Sequence, residues 1–243
     1  MKTKLLFFLF VIAAFGMTVS AQSVTITAKK VTYKRPKPIS EYKKTFTINY
    51  PKIKAATPAI SKKIESTISY EKVFDFTVKE ELTELQWLES ADYEVGYNAN
   101  GMLSISLFIE GSGAYPSGST KYIVVDLKTG LRLKPADLFS NTAGLLAKVK
   151  AAQEKEIADT IVELKKDPEN KDIEPELLFK DSAEYQKVSL NEFSVDENGI
   201  TFRHDYGFPH VVQALQPNGE FFFTWAQLKP YIKAGSLLSR VAR

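Results

Sequence analysis

Between Ala91 and Lys128, apolar residues recur at every second position in three consecutive runs. They are Tyr93, Val95 and Tyr97, then Leu103, Ile105, Leu107 and Ile109, then Ile123, Val125 and Leu127. Successive side chains of a strand point to opposite faces, so a period of two marks strands with one buried face. Asn100-Gly101, in "NANG", supplies the left-handed backbone of a tight hairpin between the first two runs. The spacing predicts a three-stranded antiparallel meander.

The flanking segments fit around such a sheet. Val24, Ile26 and Ala28 alternate, as do Phe46, Ile48 and Tyr50, and "RPKPIS" breaks the pattern between them. Thr57-Pro58 reads as a helix start followed by Ile60, Ile64 and Ile68. A second helical stretch carries Val78, Leu82 and Leu85 and closes at Trp87 and Leu88. From Thr142 to Lys165, Leu145, Val149, Ile157 and Ile161 mark a long charged helix, ended by "KKDPENKDIEP". "FSVDENGITFRH" is a hairpin about Asn198-Gly199, and "QPNGEFFFTW" a turn before an aromatic strand. Thr224 caps a last helix with Trp225, Leu228 and Ile232 inward. The mixed order predicts an α+β fold, an antiparallel sheet centred on the meander with packed helices, rather than a wound parallel sheet.

The first residues have a different logic. Lys2 and Lys4 precede an apolar run from Leu5 to Met17, and Val19 and Ala21 stand before a cut ahead of Gln22. This is the pattern of a secretory signal peptide, residues 1–21, and the run is shorter than the roughly 20 apolar residues of a membrane span. The expected location is outside the cytoplasm, periplasmic or extracellular, with no stable membrane span after cleavage. The chain has no cysteine, which removes disulfides and thiolate chemistry together. Losing Lys2 and Lys4 lowers the formal net charge from +3 to +1, which argues against nucleic acid as a partner. Basic residues run from Lys29 to Lys63 with Glu41 the only acid, and from Glu65 to Glu110 only Lys72 and Lys79 interrupt a run of acids. Two mutually attracting solvated faces, or a basic arm for polyanions, both account for that asymmetry.

The stretch "EGSGAYPSGST", residues 110–120, comes closest to a chemical motif. Gly113 and Gly118 have the separation of a phosphate-binding loop, but Ser119 stands where its lysine belongs and Lys121 is displaced. "YIVVDL" after it reads as strand, which offers no helix N-terminus to an anion. The stretch therefore reads as a long connection between the second and third strands of the meander. Ser117 lies in no nucleophile elbow. His204 and His210 are the only histidines, and with Asp205 they match no standard zinc spacing. Glu110 and Asp126 could serve as a glycosidase pair only at about 5–9 Å. With Leu107 placed opposite Ile123, Glu110 falls near Thr120 and Asp126 opposite Ser104, about 20 Å apart.

"KTFTINYPKI" followed by a helix resembles the small domain of PdaC-type peptidoglycan deacetylases. "GSGAYPSGSTKYIVVDLKTGLRLKPADLF", with "FSVDENGITFRHDYG" and "FFFTWAQLKPYI", resembles the extracytoplasmic domain of RsiV-type lysozyme-responsive anti-sigma factors. Gly113-Ala114 and Asp126 to Gly130 match, while Tyr115 replaces that family's histidine and Ser112 a glycine. The resemblance implies a PdaC-like part over residues 22–90 and an RsiV-like part over 91–243. It implies an α+β sensor or binding module facing the cell wall. It implies neither anti-sigma activity, which resides in a cytoplasmic segment of that family, nor deacetylation, which needs a separate metal-binding domain.

The expectation is a non-enzymatic module with no cofactor and no metal, binding an envelope protein such as lysozyme or a cell-wall glycan. Tyr115 would offer an aromatic face and Ser117, Ser119 and Lys121 polar contacts, with His204, Asp205 and His210 as further candidates for the ligand. A wall-directed glycan hydrolase or deacetylase, and a structural envelope protein, are the competing readings. Expressed with its leader in a bacterium, the exported protein should begin at Gln22 by mass spectrometry. An intact Met1 in the membrane fraction would refute cleavage.

Overall fold

The computed structural model describes residues 23–40, 42–113, 115–180 and 184–242; the expected signal peptide lies outside them. Strands β1 (Thr25–Lys34), β2 (Thr45–Lys54), β3 (Leu88–Ala99), β4 (Met102–Ser112) and β5 (Pro116–Asp126) form one sheet in that order. The three runs predicted as a meander are β3, β4 and β5, and Asn100 (φ 53°) and Gly101 (φ 84°) make the first turn. All pairings in this sheet are antiparallel except β2 with β3, which run parallel across Thr47–Ser90 and Ile48–Ala91. That exception follows from the connection. Helices α1 (Pro58–Thr67), α2 (Tyr70–Val73) and α3 (Val78–Thr83) lie between the two strands and carry the chain back to the start of the sheet. Thr57 caps α1 through Ile60 N–H, and Thr77 and Glu80 form a reciprocal capping box on α3.

The second part of the chain adds α4 (Pro135–Leu138), the long α5 (Thr142–Lys166) and α6 (Pro175–Lys180). A second antiparallel sheet follows from β6 (Phe193–Val195), β7 (Gly199–Arg203) and β8 (Glu220–Thr224), and α7 (Trp225–Leu228) comes after β8. Thr224 caps α7 with Gln227 as its reciprocal partner.

Two cores result, and neighbouring residues of the same strands feed both. Leu103, Ile105 and Leu107 of β4 and Ile123 and Val125 of β5 point with Ile48, Ile64 and Ile68 into the core under α1 to α3. Met102 and Val124 point the other way, to Leu145 and Val149 of α5 and to Ile200, Phe202 and Phe223 of the small sheet. The expected boundary between residues 90 and 91 falls inside β3, and the strands on its two sides share one sheet.

Three local expectations change. Most of residues 110–120 is strand rather than loop: β4 runs to Ser112 and β5 begins at Pro116. The pairing there is displaced by two residues, with Ile105 opposite Ile123, Glu110 opposite Gly118 and Met102 opposite Asp126. A three-residue connection needs less chain than the long loop expected, so the ladder shifts to absorb the rest. Leu85 is exposed, because α3 ends at Thr83 and Gln86 takes a left-handed φ of 52°.

The "RPKPIS" break acquires a role. Arg35 is buried and its guanidinium donates to the carbonyls of Glu81 (3.1 Å), Leu88 (2.7 Å) and Lys43. The Glu81 carboxylate lies 3.7 Å from it and accepts the Leu88 N–H at 2.8 Å. Burial pulls the Arg35 pKa down, against the pull of Glu81 and Glu89. Removing one member of such a buried group strands the other, so Arg35→Ala should cost about 3–5 kcal/mol. Urea unfolding measures this, and a loss below about 1 kcal/mol would show that water or another group replaces the guanidinium.

Candidate functional site

The β4–β5 hairpin extends past the core as an arm, and Trp87 fixes it. Gly111 passes so close to this residue that a Cβ there would lie 2.3 Å from the Trp87 carbonyl and 2.5 Å from its ring. Ser112 N–H donates to the Trp87 carbonyl (3.1 Å), and Trp87 Nε1 donates to Ser117 Oγ (3.2 Å). Gly113 N–H donates to the Tyr115 carbonyl at 3.2 Å, closing the tip.

A second segment meets the arm. After β7, His204 N–H donates to the Gly219 carbonyl (2.9 Å), and the chain loops out to return as β8. Asp205 Oδ1 accepts from Gly207 N–H (2.9 Å) and Gln216 Nε2 (3.2 Å), and Gln216 Oε1 accepts from Phe208 N–H (2.8 Å). Gly207 takes φ 67°, which suits glycine at this bend. A 3₁₀ turn over His210–Leu215 then places the His210 ring 5.1 Å from the ring of Tyr115 at the arm's tip. The His204 ring packs on Tyr206 (4.9 Å) and Tyr185 (5.7 Å).

Arm and loop enclose a cleft of about 370 Å³ lined by Ser119, Lys121, Tyr122, Arg203, His204, Asp205 and Gln216 among others. Four of the residues singled out in the sequence, Ser119, Lys121, His204 and Asp205, thus share one cavity although they come from two distant segments. Tyr115 and His210 pair beside it, whereas Ser117 is held against Trp87. The sequence reading missed Arg203 and Tyr122. The Arg203 guanidinium lies 3.5 Å from the Tyr122 ring centroid, donates to Glu220 (2.8 Å) and to Ser194 Oγ (2.8 Å), and so is held flat on the aromatic face. Alternation along β5 identifies Tyr122 as facing away from Ile123 and Val125, but nothing local pairs it with a residue 81 positions later.

The cleft continues. Thr120, Tyr122 and Arg203 also line a neighbouring cavity of about 400 Å³, with Glu94, Ser106 and Phe108 of the large sheet and Ser194 and Asp196 of the small one. Beyond Ser104, whose Oγ accepts the Val195 N–H at 3.0 Å, Ser106 and Phe108 on this face of β4 are only partly buried. The result is a trough rich in hydroxyls and carboxylates, with Tyr122 and Phe108 on its wall. Among the described residues no three His, Cys, Asp or Glu side chains converge as metal ligands. Glu110 and Asp126 stand eight positions apart along the β4–β5 ladder, about 26 Å at the rise of a strand. They therefore do not form a glycosidase pair.

No family model matches the sequence, and no curated protein matches it. Solved structures do. A member of the DUF3298 family from Bacteroides fragilis superposes with a TM-score of 0.56 at 16% identity, over 91% of this chain and 98% of that one. A DUF3298 family protein from Pseudomonas aeruginosa gives 0.50 at 14% identity, over 89% and 96%. At such identities the likeness is one of fold.

The tyrosines under the cleft make alkaline pH a probe of its packing. Burial, with a hydrogen bond to Glu156 (2.7 Å), pushes the Tyr206 hydroxyl far above its ordinary value, and burial does the same to Tyr185. Each folded pKa is above the unfolded value of about 10, so the stability these groups contribute is intact below pH 10 and declines as pH rises beyond it. Tyrosinate absorbance should therefore show a late fraction that appears together with loss of the fold. Complete titration near pH 10 with the fold intact would contradict this packing.

Proposed function

We propose that this chain is an exported, non-catalytic module that holds a cell-wall glycan in the trough between the β4–β5 arm and the segment from Arg203 to Glu220. The observation that carries the reading is the meeting of Ser119, Lys121 and Tyr122 with Arg203, His204 and Asp205 in one elongated polar cavity. A sugar ring presents a C–H face and a rim of hydroxyls. Tyr122 and Phe108 offer flat apolar surface, and the surrounding hydroxyl, carboxylate and amide groups can donate and accept around the rim. Ligand sites of this kind keep a few placed polar groups on a preformed wall, and here hydrogen bonds to Trp87, Gln216 and Gly219 hold both walls.

Export rests on the leader, and a wall-facing role on the resemblance to the RsiV-type and PdaC-type modules. A protein ligand such as a lysozyme is the second reading. Tyr115 is 67% exposed and Val211 89%, and an apolar pair flanking a polar cleft is the surface a protein anchor would use.

Purified residues 22–243 incubated with insoluble peptidoglycan should be retained in the pellet without releasing soluble sugar. Lys121→Ala and Tyr122→Ala should each weaken retention about tenfold, as for centrally placed binding residues. Soluble product that disappears with His204→Ala would replace the proposal with a hydrolase or deacetylase. Retention on immobilised lysozyme alone, lost with Tyr115→Ala, would establish the second reading instead.

A further inference from the structure

The small sheet leaves one edge open. β8 pairs with β7 on one side, and among the described residues no strand lies on its other side. Ile200–Phe223 and Phe202–Phe221 are the hydrogen-bonded pairs of the ladder, in step with His204 N–H to Gly219 C=O at one end and Trp225 N–H to Asn198 C=O at the other. The N–H and C=O groups of Glu220 and Phe222 therefore point to the open side. Folded proteins usually blunt such an edge with a lysine, a proline or a bulge. β8 has none of these; its sequence is Glu-Phe-Phe-Phe-Thr, and Phe222 is 45% exposed.

This edge borders a groove of about 720 Å³ between β8, α5 and residues 214–218. Leu164, Phe221 and Phe223 contribute apolar surface to it. Glu156, Asp159 and Glu163, spaced three and four apart on α5, line the facing wall, with Asp167 just past the helix end. Lys155 is the groove's only cation among the described residues, and it is paired with Asp159.

We propose that this groove binds an extended, lysine- or arginine-bearing segment of a partner protein by adding it as a strand to β8. Backbone pairing with Glu220 and Phe222 would supply affinity. Alternate side chains would then face the acidic wall of α5 and the apolar surface beside Phe222, so the segment that fits alternates basic and apolar residues. A symmetric β8-to-β8 dimer is disfavoured by the same charges, because it would bring two acidic α5 faces together. The groove shares Gln216, Asn218 and Glu220 with the trough, so its test uses Phe222 and Glu163, which line the groove and not the trough.

The probe is a short synthetic peptide alternating lysine and valine, with a glutamate–valine peptide of equal length as control, titrated by calorimetry into residues 22–243. The lysine peptide should bind and the glutamate peptide should not, and binding should weaken as salt is raised. Phe222→Pro removes the edge donor without removing a β7–β8 hydrogen bond and should weaken binding at least tenfold. Phe222→Ala, which keeps the donor, should weaken it less. Glu163→Lys should also weaken it, and all three variants should retain wild-type circular dichroism and wild-type behaviour on peptidoglycan. Equal binding of both peptides, or binding indifferent to Phe222→Pro in a folded variant, would overturn the proposal. So would concentration-dependent self-association abolished by Phe222→Pro, which would make a second copy the occupant.

Discussion

A guanidinium taken out of water must have its donors satisfied inside the protein, and the way Arg35 meets that demand joins the β1–β2 hairpin to the start of β3. β2 and β3 touch across only two residue pairs, in the parallel arrangement that contributes least per residue. Such a junction is weak alone. Arg35, at the end of β1, reaches past it to the Leu88 carbonyl at the start of β3 and to Glu81 in α3, and Glu81 in turn holds the Leu88 N–H. Gln86 repeats the arrangement nearby, accepting from Ile39 N–H (3.0 Å) and donating to the Lys37 carbonyl (2.9 Å). Replacing a whole buried ion pair by well-packed hydrocarbon can be neutral for stability, whereas removing Arg35 alone strands Glu81. What Arg35 adds here is register: it ties one hairpin to one position of the meander.

From that junction the geometry of the site follows. With β3 placed, β4 and β5 are placed, and their pleat sends Leu103 and Met102, or Val125 and Val124, into different cores. The core under α1 to α3 is continuous along the sheet. The other is confined to one end, where the small sheet crosses β4 at Ser104. Ser106, Thr120 and Glu94 occupy the remainder of that face together with Phe108 and Tyr122. The trough is the uncovered part of a sheet whose cover is too short.

The meander, the caps at Thr57 and Thr224, the long helix α5 and the aromatic hairpin were legible because each is encoded within one turn or one strand. The pairing register of β4 with β5 was not. Alternation tells which residues share a face, but a shift of two keeps every face unchanged, and only the length of the connection at Gly113 to Tyr115 decides between the alternatives. The parallel β2–β3 contact depends on a crossover spanning three helices, which no local pattern reports. In the site, Ser119, Lys121, His204 and Asp205 could be named for their chemistry. That they line one cavity depends on the end of β7 lying beside β5, where Arg203 stacks on Tyr122 from 81 positions away.

The arm shows how a rule broken locally marks a requirement imposed elsewhere. Three glycines and a proline in "EGSGAYPSG" look like a flexible loop, yet most of the segment is paired strand. Glycine costs a strand conformational entropy and adds no packing. At position 111 that cost admits the Trp87 backbone and ring to a distance no side chain would allow. At position 118 a Cβ would lie 3.0 Å from the Ile109 carbonyl, so the second strand of the arm is also shaped by a close approach. The glycines thus let two strands and a tryptophan pack near the tip of the arm. Ser119 and Thr120, between that contact and the core, line the cleft.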